Sequence, residues 1–296
     1  MSVIDIHHLT KDYGNHKGIF DVSLSIKKGE IFGFLGPNGA GKTTTIRHLM
    51  GFIKAQHGTC FINGHNCYKE SVLIQDSLGY LPGEINFADN MSGIEFINFI
   101  AKYRGLKDMS KANELIQLFE LDPKGKIKKM SKGMKQKIGI VCAFMHNPDV
   151  LILDEPTSGL DPLMQSKFID LVLKEKEQGK TILMSSHIFE EVERTCDRVG
   201  IIKEGSVVRI EHIDILKKSK SKHYRIHLNN TQDMIAFMKE PLTLKKLSDN
   251  EIEVIVKNDL NKLIHILDKY DIENIEINNQ SLEEVFMQFY GGDLHE

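Results

Sequence analysis

The stretch GPNGAGKTT, Gly36 to Thr44, decides how this chain is read. An apolar run, IFGFL (Ile31–Leu35), leads into it, and the helical-looking TTTIRHLMGF carries on from its end. A buried strand, a glycine loop and a helix, in that order, form the setting in which G-x-x-x-x-G-K-[ST] binds a polyphosphate. Glycines let the backbone wrap close to an anion, so that successive N–H groups and the helix N-terminus face it. Lys42 would then reach the terminal phosphates and the Thr43 hydroxyl would ligate Mg²⁺. A chance glycine turn is the competing reading, and the flanking strand and helix weigh against it.

With 296 residues of ordinary composition, the chain has room for one large core and a smaller domain. A net charge of −3 leaves no global footprint for nucleic acid, and none is expected as a partner. No apolar run approaches the roughly 18 to 20 residues of a membrane span; the strongest, VLILDEP, is strand-sized and ends in charge. The opening MSVIDIHHLTKDYG lacks a basic segment followed by an apolar one, so no secretory signal is expected. Cys60, Cys67, Cys142 and Cys196 show no metal spacing and sit mostly among apolar residues, the pattern of buried thiols in a cytoplasmic protein.

Outward from the loop, VIDIHHL and DVSLSI (Asp21–Ile26) alternate as strands. Tyr13 lies between them, with two readings open: stacking on adenine, or packing at a sheet edge. DSLGYLP (Asp76–Pro82) reads as a further strand. Polar residues just past such a strand face the ligand crevice of an open sheet, which makes Glu84 a candidate for Mg²⁺ or the attacking water and equally a solvated loop acid. SGIEFINFIAKYRG has a broad apolar helical face, Ile94, Ile97 and Ile100 with Phe96, Phe99 and Tyr103 offset, most of it expected in the core. KANELIQLFEL follows as a second helix. Seven lysines then fall between Lys124 and Lys137, usually the mark of a solvated face. Within them Ser131 and Gly133 directly precede a helix running to about Met145, which suggests a second anion site.

VLILDEP (Val150–Pro156) is a continuous apolar strand ending in two carboxylates. In a buried parallel sheet Asp154 would sit beside the phosphate loop and hold the hydration shell of Mg²⁺, while Glu155 would lean over the terminal phosphate and polarise water. SGLDP, a helix through Lys176, the strand TILMSS and then His187 follow. A histidine there is commonly structural, yet its place at a strand end also allows a phosphate contact. The basic joint KKSKSK (Lys217–Lys222) is the best domain boundary. Beyond it the order strand, helix, strand, strand, helix, strand, with a last helix LEEVFMQFYG, reads as a small α+β domain of split-βαβ type without a catalytic pattern.

Together and in this order, these pieces resemble the ATP-binding subunit of an ABC transporter. GPNGAGKTT matches the Walker A loop, VLILDEP the Walker B strand, SGLDP the D-loop, SSH the switch histidine and MSKGMKQK the signature LSGGQ. The match spans about residues 3 to 215. It implies an α/β fold: a P-loop NTPase cassette with a mixed sheet over residues 1–218, a helical subdomain at about 84–146, and a C-terminal α+β domain over 219–296. It further implies ATP and Mg²⁺ as ligands, bound by Gly36, Pro37, Asn38, Gly39, Ala40, Gly41, Lys42, Thr43 and Thr44. Tyr13 would stack on adenine, Thr43 and Asp154 would hold Mg²⁺ with Glu84 as a further contact, Glu155 would be the general base and His187 would sense the γ-phosphate. Ser131 and Gly133 would complete the nucleotide held by a second cassette, and Asp161 would communicate across that dimer.

Two motifs depart from the family pattern. Lys132 and Met134 replace the first glycine and the glutamine of the signature, and Gly83 and Glu84 stand where the Q-loop glutamine belongs. The resemblance implies a homo- or heterodimer serving a separate transmembrane permease at the cytoplasmic face of the membrane, with Phe87, Phe96 and Phe99 candidates for the permease contact or for core packing. The SLEEVF tail resembles bacterial exporters of drugs, antimicrobial peptides or related toxic compounds. A soluble relative acting on the ribosome or DNA is the alternative. It would bring a second cassette or long insertions, and this chain has neither.

Overall fold

The alternating stretches at the start of the chain pair with each other in the computed structural model, which describes residues 1–87, 90–219, 222–256, 260–279 and 284. Strands β1 (Ser2–Asp12) and β2 (Gly18–Lys27) run antiparallel, with Ile4 opposite Ile26 and Ile6 opposite Leu24. All four side chains are buried, so period-two alternation here does place one face in the core. The chain then enters a second sheet as β3 (Ile31–Leu35) and returns to the first as β4 (His57–Ile62) and β5 (His65–Asn66). The first sheet has the order β2-β1-β4-β5.

The second sheet also takes β6 (Leu78–Leu81), β7 (Val150–Asp154), β8 (Thr181–Ser186), β9 (Arg198–Lys203) and β10 (Ser206–His212), in the order β10-β9-β3-β8-β7-β6. It is mixed: β10 is antiparallel to β9, and the other pairings are parallel. Every residue of β3, β7 and β8 is buried, which is why these segments read as unbroken apolar runs. Parallel alignment also brings the C-terminal ends of β3, β8 and β7 to the same edge. Whatever follows those three strands in sequence is therefore gathered there.

The helices of this unit are α1 (Lys42–Leu49), α2 (Ser71–Ser77), α3 (Gly93–Tyr103), α4 (Ser110–Leu118), α5 (Lys132–Phe144), α6 (Pro162–Glu177) and α7 (Phe189–Thr195). Helix α2 occupies the first part of the stretch read as a strand from Asp76; the strand itself begins at Leu78. Helix α3 starts with a capping box, in which Ser92 accepts from the Glu95 N–H and Glu95 accepts from the Ser92 N–H. Its apolar face is less buried than expected. Ile97 and Ala101 are in the core, but Phe99 and Tyr103 are 51% and 83% exposed. The six apolar residues span more of the helix than one packing face can cover. Phe96 packs edge to face with Phe87 at 4.9 Å. Cys60, Cys67 and Cys196 are buried and Cys142 half-buried, and burial pushes the Cys142 and Cys196 thiols up to about 12, so both stay protonated and inert.

The chain divides into two compact units, Met1–Ile213 and Asp214–Glu296. Helix α8 (Ile213–Ser219) opens the second and takes in part of the KKSKSK joint, placing the division a few residues before 218. Next come β11 (Lys222–Leu228), α9 (Thr231–Phe237), β12 (Thr243–Lys246), β13 (Glu251–Val256), α10 (Leu260–Leu267) and β14 (Ile272–Asn279). They form an antiparallel sheet of order β12-β13-β11-β14, whose core joins Tyr224, Ile226, Ile252 and Val254 to Met234, Phe237 and Leu263 of the two helices. Apart from Glu284, the expected last helix lies outside the described residues.

Candidate active site

Gly41 caps α1 with a φ of 111°, a left-handed conformation that side-chain-bearing residues rarely adopt, and supplies no side-chain hydrogen bond to the helix start. The first N–H groups of an α-helix have no intrahelical partners and can receive an anion. Beside them is a recess of about 150 Å³ lined by Asn38, Gly39, Lys42, Thr43, Thr44 and Glu155. Lys42 is buried, and its Nζ turns back to donate to the carbonyls of Gly36 at 2.7 Å and Pro37 at 3.2 Å. The same Nζ lies 3.3 Å from Glu155 Oε1, and His187 Nδ1 lies 3.4 Å from that oxygen. Three residues remote in sequence thus meet at one carboxylate oxygen.

The backbone at the end of β7 explains why Glu155 reaches Lys42. Its φ is 47°, left-handed for a residue with a side chain, a conformation that costs on the order of 1–3 kcal/mol. The Glu155 N–H is held against β8, donating to Ser185 O at 3.2 Å and Ser185 Oγ at 3.0 Å. Ser185 in turn donates to Asp154 Oδ1. Asp154 is 1% exposed, and among the described residues its Oδ2 has no hydrogen-bond partner. Gly83 stands over that oxygen, so close that an added Cβ would lie 3.3 Å from it. Asp154 opens onto a cleft of about 830 Å³ shared with Asn38, Thr43, Glu84, Lys132 and Glu155. A buried acid oxygen without a donor, next to a hydroxyl and a second acid, is a donor set of the hard oxygen type that suits a small divalent cation.

The remaining sequence candidates lie around this centre. Tyr13 is 55% exposed in the loop between β1 and β2, and that loop runs into Gly18, whose carbonyl would lie 3.3 Å from a Cβ at Gly41. Ser131 is the N-cap of α5 and accepts from the Met134 N–H at 3.2 Å. Gly133 packs against Gly159, since a Cβ there would lie 2.6 Å from the Gly159 carbonyl oxygen. Asp161 caps α6, accepting from the Met164 N–H at 3.0 Å. Of the signature residues, Lys132 lines the cleft, and its Nζ donates to Ser158 Oγ at 2.7 Å.

Ser185 and Gln136 are among the residues that escaped the sequence reading. Ser185 links the Asp154 carboxylate to the Glu155 backbone, and an ordinary serine inside a strand carries no mark of that role. Gln136 is buried and its Nε2 donates to Pro156 O at 2.8 Å, tying α5 to the turn after β7. A signal did exist for it: Gln136 shares a helical face with the buried Ile140 and Ala143, and a polar residue in an apolar stripe needs a partner.

The family model described as ABC transporter matches residues 19–158. A bacitracin transport ATP-binding protein of Bacillus licheniformis is 35% identical over 301 aligned residues, which cover 98% of this chain and 98% of that protein. The chain belongs to the ABC transporter family. A linearmycin resistance ATP-binding protein of Bacillus subtilis is 37% identical across 70% of this cassette protein and 68% of its own length. Among solved structures, an ATP-binding subunit of an ABC transporter matches with a TM-score of 0.68 at 30% identity, over 73% of this chain and 92% of that one. A bacterial ABC transporter cassette solved as a dimer matches with a TM-score of 0.64 at 25% identity, over 71% and 98%. The cassette is an ATP-hydrolysing transporter subunit that works in pairs and powers a separate transmembrane permease. No helix among the described residues is long and apolar enough to cross a membrane.

Proposed function

We propose that this cassette hydrolyses ATP at a site built on Lys42, Glu155 and His187, and that it drives export of drugs, antimicrobial peptides or related toxic compounds through a separate permease, docking on that permease's cytoplasmic face. The observation that carries the reading is the meeting of Lys42 Nζ and His187 Nδ1 at Glu155 Oε1. Phosphoryl transfer to water needs positioning and charge stabilisation more than covalent chemistry. Lys42 supplies a charge already seated in the loop, and phosphate oxygens take over the contacts it now makes with Gly36 and Pro37. Glu155 accepts the proton of the attacking water, with His187 beside it to contact the γ-phosphate. Tyr13 stacks on adenine. Mg²⁺, when bound, neutralises phosphate charge; Thr43 and Asp154 would hold it, with Glu84 at the rim of the same cleft.

Ser131 and Gly133 act on the nucleotide of the partner cassette, and Asp161 relays closure between the two. Export of drugs or related toxic compounds is favoured by the bacitracin transport and linearmycin resistance proteins named above. The permease contact is assigned to the apolar hollow of about 300 Å³ where Ile85, Phe87, Phe96 and Ile100 meet. Glu155→Gln should bind ATP and stay in a closed dimer, seen as a doubling of mass in light scattering with ATP, while hydrolysis falls at least about a hundredfold. Hydrolysis by Glu155→Gln at the wild-type rate would refute the assignment.

A further inference from the structure

Glu191 takes no part in the chemistry above, yet it is 4% exposed at the start of α7, one turn after His187. Its two oxygens accept two hydroxyls from different segments. Thr157 Oγ1 donates to Oε1, and Ser186 Oγ donates to Oε2 at 2.9 Å. Thr157 is two residues beyond Glu155, and Ser186 immediately precedes His187. Ser186 Oγ also accepts from the Ile188 N–H at 2.9 Å, so the chain on both sides of His187 is fastened to one atom. Thr195 Oγ1 donates to the Glu191 carbonyl at 2.7 Å and steadies that turn of α7.

Burial pushes the Glu191 carboxyl up, against the pull of these two hydroxyls. An acid in such a place costs stability that an apolar side chain would not, so packing alone does not account for it. What it adds is geometry: one planar, two-sided acceptor whose separation between partners is fixed by covalent bonds. We propose that Glu191 is a positioning residue, which holds Glu155 and His187 at their working distance by joining the turn after β7 to the end of β8 through Thr157 and Ser186. The proposal rests on the roles assigned to Glu155 and His187 in the preceding subsection.

Full-length Glu191→Leu and Thr157→Val proteins test it through steady-state hydrolysis, binding of a fluorescent ATP analogue and thermal melting. The expected result is a fall in kcat of at least about tenfold, with KM and analogue affinity moving less than about twofold, because Lys42 and the phosphate loop are not attached to Glu191. Thr157→Ser, which keeps the hydroxyl, should recover most of kcat. The double variant should be no slower than the slower single one, since both cut the same link. Where Glu191→Leu does not fold, Thr157→Val carries the test, because it removes one donor and preserves shape. Wild-type kcat in folded Thr157→Val, a rise in KM in step with the loss of kcat, or additive losses in the double variant would each overturn the proposal. Equal hydrolysis by wild type and Glu155→Gln would instead strike the reading beneath it.

Discussion

The Lys42 ammonium engages two loop carbonyls and one carboxylate while almost wholly out of solvent. Lys42→Ala leaves Glu155 facing the recess without that cation. A hydrogen bond to a charged group contributes about 1.5–3 kcal/mol, so ATP affinity should fall roughly ten- to hundredfold by calorimetry; unchanged affinity would remove Lys42 from the phosphate site. His146 makes a different residue-scale prediction. Burial, with Arg104 nearby, lowers its pKa to about 4, and while Nε2 meets Leu78 O at 3.1 Å, Nδ1 is buried with no hydrogen-bond partner among the described residues. The folded value lies below the unfolded value of about 6.5, so the unfolded chain binds the extra proton. Stability from this group is full above about 6.5 and declines as the pH drops toward 4. His146→Gln should therefore show a flatter melting temperature across that window than wild type.

Among the elements, α5 approaches the turn around Gly159 closely beside the site. Alanine for glycine inside a helix ordinarily gains about 1 kcal/mol. At Gly133 the added methyl would meet a backbone carbonyl at 2.6 Å, and a carbonyl fixed in a turn cannot rotate aside. Overpacking costs about 1–3 kcal/mol, so Gly133→Ala should melt a few degrees lower rather than higher, and a higher melting temperature would refute the contact. Much at this scale was legible in the sequence. The phosphate loop, both acids and His187 stood out because each follows an apolar run of strand length, and buried parallel strands leave that mark. Helix α2 and the exposure of Phe99 and Tyr103 did not stand out. Short helices resemble strand ends in so few residues, and a helix apolar on most sides does not declare which side the core will take. Ser185, Gln136 and Glu191 stayed hidden for another reason: each makes a hydrogen bond to a residue 19 to 34 positions away, which no local pattern records.

For the molecule as a whole, the surface position of the signature matters most. Ser131 is exposed, and its hydroxyl already caps α5. An arginine there would crowd whatever approaches this helix end from another cassette without touching the phosphate loop of its own chain. Ser131→Arg should therefore abolish hydrolysis and ATP-induced dimer formation while the isolated chain binds ATP with unchanged affinity. Loss of binding by the single chain would argue against a role in trans. The α+β unit that begins near Asp214 has its own core.

Strand β3, which aims the phosphate loop, hydrogen-bonds to no strand that is near it in the chain. Its neighbours are β8, starting at Thr181, and β9, starting at Arg198. Such pairings must await the closure of very long loops, which makes them slow to form. During synthesis the glycine loop consequently emerges with nothing to brace it, and the nascent chain cannot hold ATP until some 160 further residues have left the ribosome. Nucleotide then rewards the finished fold alone, so ATP present during refolding should slow the loss of native protein without hastening its first appearance.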